Sequence, residues 1–250
     1  MIIRKSTREI ELMRKAGELV AGALNLAKRI AKKGVTTDFL NDELEKYVQE
    51  RGGIPVFKGY RGYPKSICTS INEEVVHGIP GHRKLHNGDI IGVDIGVEYH
   101  KYVADAAITI PIGEISDEVK KLVEVCEEAL HLAIKALHAD VKLSEVSRAI
   151  QDFVEFNGFS VIREYTGHGI GRKMHEDPQV PNFVSKALLE ADEILMPGTT
   201  LAIEPMICLG KPDTEVLPNK WTVVTKDRKP SAHFEHTVVV TNNSAEILTK

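Results

Sequence analysis

Cysteine is scarce in this chain: there are three in 250 residues, Cys68, Cys126 and Cys208, all widely spaced. An odd, scattered set builds no disulfide framework and fits a reducing compartment. Long apolar runs are missing as well, since none approaches the ~20 residues that a membrane span requires. The N-terminal stretch MIIRKSTREIELMRK is charged from its fourth residue, unlike a signal peptide. A cytoplasmic location with no membrane partner is therefore expected. Positive charge is not in surplus either. Thirty-two Lys and Arg against 36 Asp and Glu give a net charge of −4, which argues against specific nucleic-acid binding. The one basic cluster, Lys28, Arg29, Lys32 and Lys33, reads first as a solvated helix end favoured by the helix dipole. Its second reading is a transient contact with ribosomal RNA. No linker or low-complexity stretch divides the chain, so one domain over residues 1–250 is expected.

What is present is a repeated order of elements. Ser6 and Glu9 make a capping box, which opens a long helix predicted to run to Lys33 and stop at Gly34. A shorter helix is predicted over residues 38–50, before Gly52-Gly53. The second half repeats the pair, with a long helix from Asp117 to about His138 and a shorter one from Ser144 to about Phe156. Short strands follow each pair, near residues 55–57 and 159–164, and then hairpin-like apolar regions. These features predict an α+β fold of antiparallel strands lined by helices on one side.

Four acids lie inside those apolar regions: Asp94 in IIGVDIGV, Asp105 in YVADAAITI, Glu204 in TTLAIEPMI and Glu235 in AHFEHTVVV. Each run is short and rich in β-branched residues, as a buried strand is. The acids come as matched pairs. Asp94 follows Gly88, and Glu204 follows Gly198, at the same spacing; VADAAITI resembles HFEHTVVV; and VHGIPG around His77 resembles GHGIGR around His168. Three matches in one order imply two related halves, roughly 1–115 and 116–250, each with an acidic strand pair. A hairpin turn centred on Tyr99-His100 would place Asp94 directly opposite Asp105. Like charges so opposed destabilise a sheet unless a cation is shared.

An uncompensated buried carboxylate costs several kcal/mol or more, and four call for about four positive charges. Two divalent ions supply them. Structural zinc prefers Cys and His, and calcium loops gather their ligands within a dozen residues. Carboxylates with an imidazole suit Mn²⁺, Fe²⁺, Co²⁺, Ni²⁺ or Zn²⁺ in a two-metal site. His168, between glycines in YTGHGIG, is the best imidazole candidate.

The ordered set Asp94, Asp105, His168, Glu204 and Glu235 resembles the ligand set of type I methionine aminopeptidases, which are pita-bread metallopeptidases. GYPKSICTSINEEVVHGIP, GDIIGVDIGV, TGHGIGRKMHEDPQVPN, IEPMI and WTVVTKDRKPSAHFEHTVVVT also resemble that family's motifs, so the likeness spans essentially the whole chain. The 35 residues between His168 and Glu204 leave no room for the helical insert of type II enzymes, and no zinc-binding or proline-rich N-terminal extension is seen. The resemblance is to the short, bacterial form. It implies the pita-bread (creatinase/aminopeptidase) fold, with two pseudo-symmetric halves and a curved antiparallel sheet covered by helices.

The resemblance further implies release of the initiator methionine from nascent chains and peptides when the second residue is small. Asp105 and Glu235 would bridge two metal ions, Asp94 would bind one, and His168 with Glu204 the other. A water shared by the ions would attack the first peptide carbonyl, with Glu204 shuttling its proton. His175 would stabilise the tetrahedral intermediate and His77 would contact the scissile amide. Tyr60, Tyr63, Cys68, Met174 and Trp221, together with His77 and His175, would bind substrate. Phe57 stands where a cysteine can occur and Met174 where an aromatic is common, which bears on pocket width. Because Ile2 is bulky, Met1 should be retained. A monomer is expected. The rival readings are an Xaa-Pro aminopeptidase or prolidase of the same fold, a metal-free pita-bread binding module, and a two-metal phosphodiesterase. The intact ligand set disfavours the binding module, and the acidic balance disfavours the phosphodiesterase.

Overall fold

The structure, a computed structural model, describes residues 2–250. Met1, expected to be retained ahead of Ile2, lies outside them.

The first half opens with α1 (Thr7–Ile30) and α2 (Thr37–Gln49), then β1 (Ile54–Pro55), β2 (Cys68–Ile71), β3 (Glu74–Val76), β4 (Ile90–Tyr99) and β5 (Tyr102–Pro111). The second half begins with α3 (Asp117–Ala136) and α4 (Leu143–Phe156), then β6 (Ser160–Val161), β7 (Gly167–Gly169) and β8 (Glu176–Val180). A short α5 (Lys186–Glu190), absent from the sequence reading, precedes β9 (Thr200–Ile203), β10 (Met206–Cys208), β11 (Thr214–Val216) and β12 (Val223–Thr225). The chain finishes with β13 (Ser231–His233), β14 (Glu235–Val240) and β15 (Ala245–Ile247).

The Ser6–Glu9 capping box is formed: the Ser6 side chain accepts from Glu9 N–H, and the Glu9 carboxylate accepts from Ser6 N–H. α1 stops at Ile30 rather than Lys33, because Ala31 turns extended at φ −70°, ψ 97°. Its buried positions Met13, Ala16, Val20, Ala23, Leu24 and Ala27 recur every three or four residues and lie on one stripe. That stripe packs against β4 and β5, while α3 packs against β9, β10, β13 and β14. The helices thus bury the far side of the sheet that carries the acids. Among the described residues, no helix is long and apolar enough to cross a membrane.

The main sheet runs β1-β4-β5-β14-β9-β7-β8, with β15 added on β14 and β2 on β4. Its pairings are antiparallel. The β4–β5 hairpin corrects the expected register. Tyr99 pairs with Tyr102, so the turn is His100-Lys101, both at positive φ (48° and 68°), as a two-residue hairpin turn matching the strand twist requires. Asp94 therefore faces Ala107, and Asp105 faces Gly96. Moving the turn by one residue moves the pairing by two, which keeps both carboxylates on one face. They sit diagonally, not directly opposite.

Candidate active site

Five neighbouring strands bring the five candidate ligands to the same place. Across the sheet, β4 carries Asp94, β5 Asp105 and β14 Glu235; Glu204 directly follows β9, and β7 carries His168. Ala107 pairs with both Asp94 and Glu235, so these two acids flank a methyl group in one row. Thr237, Ala202 and His168 form the next row. The small side chains between the acids leave the space that the carboxylates share.

His168 needs glycine on both sides. A Cβ on Gly167 would stand 2.4 Å from Ala202 O, and one on Gly169 would stand 2.1 Å from Asp177 O. The His168 Nδ1 lies 2.8 Å from Gly169 O, and a carbonyl only accepts, so Nδ1 carries the proton. The Nε2 lone pair then faces Asp105 Oδ2 at 3.5 Å and Glu204 Oε1 at 3.6 Å. Burial holds this imidazole down at about 4, so it is neutral at pH 7. A lone pair aimed at two carboxylate oxygens makes neither a hydrogen bond nor an ion pair. It is an arrangement for a cation.

The acids say the same. Asp105 and Glu235 are each 3% exposed. Burial first, and neighbouring carboxylates second, raise Asp94, Glu204 and Glu235 well above the usual carboxylate range. Burial lifts Asp105 to about 6, opposed by its Thr237 hydrogen bond. Asp94 Oδ1 is buried without a hydrogen-bond partner. Two carboxylates ~4 Å apart repel by about 4 kcal/mol even at an effective dielectric of 20, and among the described residues no Lys or Arg is ion-paired with any of the four acids. Ligand atoms of Asp105, His168 and Glu235 lie within 4.8 Å of one another. The donor set fits divalent metal.

All twelve candidate site residues from the sequence, and Phe57 with them, line one cavity of about 180 Å³. Phe57, Tyr63 and Cys68 pack together against Met174 and Trp221 to make its apolar wall. Trp221 meets Tyr63 edge-on with ring centres 5.1 Å apart, and the Tyr63 hydroxyl reaches the carbonyls of Ile67 (3.1 Å) and Gly78 (2.9 Å). His77 sits at φ 59°, an uncommon left-handed conformation for a non-glycine residue, and its ring meets Tyr165 and Trp221 edge-on. His175 contacts the Tyr60 hydroxyl through Nδ1 at 2.8 Å and lies 4.2 Å, centre to centre, from the His168 ring. Burial holds both His77 and His175 at about 4.

Three residues escape the sequence reading. Arg61, at φ 48°, completes the cavity lining, and no motif points to it. Thr237 accepts from Asp105 N–H at 3.0 Å and places its hydroxyl 3.0 Å from Asp105 Oδ1; its position two residues after Glu235, on the same strand face, was a usable signal. Asn182 donates to Glu204 O at 2.9 Å, holding the segment that follows β9.

The family model for metallopeptidase family M24 matches residues 11–242. The chain belongs to this family. Methionine aminopeptidase 1 of Bacillus subtilis is 47% identical over 250 residues, covering all of both chains. The crystal structure of a methionine aminopeptidase from Thermotoga maritima superposes with a TM-score of 0.97 at 44% identity, again over the whole of both chains. A prolidase from Pyrococcus horikoshii shares the fold alone, with a TM-score of 0.80 at 21% identity and 64% of its length covered. The M24 pita-bread fold is thus present from end to end, as are its metallopeptidase character and its kinship with methionine aminopeptidases.

Proposed function

We propose that this M24 enzyme is a two-metal methionine aminopeptidase. It removes the initiator methionine from peptides and nascent chains when the second residue is small. One observation carries the reading: five adjacent strands converge four carboxylates and an imidazole on one cavity whose other wall is apolar.

The order of the strands supports the division of ligands. Asp105 and Glu235 lie in the interior of the series, with Asp94 on one flank and Glu204 and His168 on the other. Asp105 and Glu235, in the interior, would contribute to both ions, and the flanking groups would complete the set on either side. Co²⁺, Mn²⁺, Fe²⁺, Ni²⁺ and Zn²⁺ all suit such donors. Bound there, the ions would acidify a water and polarise the first peptide carbonyl.

The chain's own residues do the rest. Phe57, Tyr63, Cys68 and Trp221 enclose the methionine side chain, with Tyr60 and Met174 beside them. Glu204 takes up the proton released by the attacking water and passes it to the leaving amine. The Tyr60 hydroxyl donates to His175 Nδ1, which leaves an Nε2–H to stabilise the oxyanion. His77 contacts the scissile amide. Halves 1–115 and 116–250 act as repeats that meet at the β5–β14 pairing. The chain works as a monomer in the cytoplasm, with Lys28, Arg29, Lys32 and Lys33 available for transient ribosome contact.

The test is peptide hydrolysis by metal-free protein reloaded with each of the five ions in turn. Methionine should be released from Met-Ala-Ser and not from Met-Ile-Ser or an Xaa-Pro peptide. Cleavage of the Xaa-Pro peptide alone, or no cleavage with any ion, would overturn the proposal.

A further inference from the structure

His233, on β13, is the one imidazole beside the carboxylates that the mechanism leaves without a task. It is 5% exposed, and its Nε2 is buried with no hydrogen-bond partner. Its backbone is fixed on both sides: the N–H donates to Thr109 Oγ1 at 3.0 Å, and the carbonyl accepts from the same hydroxyl at 2.8 Å. β13 pairs with β10, so His233 faces Met206 across the ladder. These restraints aim Nε2 at Glu204 Oε2, 3.7 Å away, just beyond hydrogen-bond reach.

Glu204 is thereby bracketed by two imidazoles. Its Oε1 is 3.6 Å from His168 Nε2 and its Oε2 is 3.7 Å from His233 Nε2. The two rings are not equivalent. His168 has its proton fixed on Nδ1 by Gly169 O, so it presents a lone pair. Among the described residues no carbonyl anchors His233 Nδ1 in that way, and its Nε2 is free to carry the proton.

We propose that His233 is a positioning residue whose Nε2–H donates to Glu204 Oε2, reserving Oε1 for metal on the His168 side. A second ring nitrogen facing the carboxylate as a bare lone pair would add repulsion, and a buried orphan N–H would carry a desolvation cost. Donation to Oε2 removes both. The hydrogen bond also restricts the free rotation of the Glu204 carboxylate, which would otherwise have to be lost when metal binds. Hydrogen bonds to metal-ligating carboxylates of this kind are typically worth about 10–100-fold in metal affinity. The inference rests on the two-metal reading above.

The test has two arms, both on the full chain. In the first, long-range ¹H–¹⁵N correlation spectra of histidine-labelled wild-type protein, metal-free and loaded with Zn²⁺, give the tautomer of His233. The prediction is an Nε2–H tautomer in both states, with the Nε2 proton shifted downfield on loading. An Nδ1–H tautomer would overturn the proposal and make His233 a sixth ligand or a bystander. In the second, Zn²⁺ and Mn²⁺ titrations compare wild type with His233→Gln and His233→Leu. Gln restores an N–H donor and should stay within a fewfold of wild type; Leu should lose roughly 10–100-fold at one of the two sites. A folded Leu variant that binds both ions as wild type does, or a folded Gln variant as weak as Leu, would overturn it. If His233→Leu does not fold, the tautomer arm decides alone. A wild-type chain that binds no divalent metal would sink the two-metal reading itself, an outcome distinct from each of these.

Discussion

A tyrosine hydroxyl sets which nitrogen of His175 looks into the cavity. Tyr60 lies 2.8 Å from Nδ1 and burial holds the ring neutral at about 4, so with the hydroxyl donating to Nδ1, as proposed, the other nitrogen would be an N–H donor throughout the neutral range. Removing it should cost transition-state stabilisation and little else. We expect His175→Ala to lose about 10²–10³ in kcat while still binding two metal ions, checked by steady-state kinetics beside metal analysis. Near-normal turnover with metal bound would remove His175 from the mechanism. At this scale the sequence was highly legible, because acids within β-branched runs are costly enough to stand out against any background. Arg61 was not legible, since its place on the cavity wall comes from a left-handed backbone in a short turn and not from its neighbours in sequence. His233 lay within the motif that marked Glu235, yet its meaning depends on a 3.7 Å approach to Glu204 that only folding creates.

Among the elements, α1 rests most visibly on a local device. Glu9 is held down to about 2, first by the Ser6 backbone N–H, then by the Tyr102 and Ser6 hydroxyls. Tyr102 starts β5, so one carboxylate both caps the helix and ties it to the hairpin that carries Asp105. Because the folded-state value lies below the ordinary 4.5, the stabilisation is complete above pH 4.5 and is lost as pH falls towards 2. Glu9→Gln should therefore be destabilised by about 1 kcal/mol at pH 7, with the gap to wild type narrowing as pH drops below 4.5. Urea unfolding at pH 7 and pH 4 measures it, and a gap that widened in acid would contradict the assignment. The four main helices were legible because each carries an apolar stripe, with a capping Ser or Thr ahead of α1, α2 and α3 and a glycine shortly after α1, α2 and α4. Hairpin register was not, because Tyr99-His100 and His100-Lys101 are equally plausible turns on paper and the positive φ pair that decides between them is a property of the folded backbone. The period of two kept the acids on one face despite the slip.

In the whole molecule, chain order and sheet order part company. The acids occur as Asp94, Asp105, Glu204 and Glu235 along the sequence, but the sheet interleaves them by placing β14 between β5 and β9. That insertion is a long-range pairing with no local signature, so the sequence revealed the donors without revealing which of them are neighbours. It also makes β5–β14, among the described residues, a junction at which acids from residues 1–115 and 116–250 stand side by side, so neither stretch alone holds the complete donor set. The central claim is that these five side chains gather two metal ions next to an apolar methionine pocket. A crystal structure of Mn²⁺-loaded protein with free methionine tests it most directly through anomalous scattering. The account predicts two manganese peaks among Asp94, Asp105, His168, Glu204 and Glu235, with the thioether lying against Phe57, Tyr63, Cys68 and Trp221. Manganese bound elsewhere, or methionine lodged outside that wall, would contradict it.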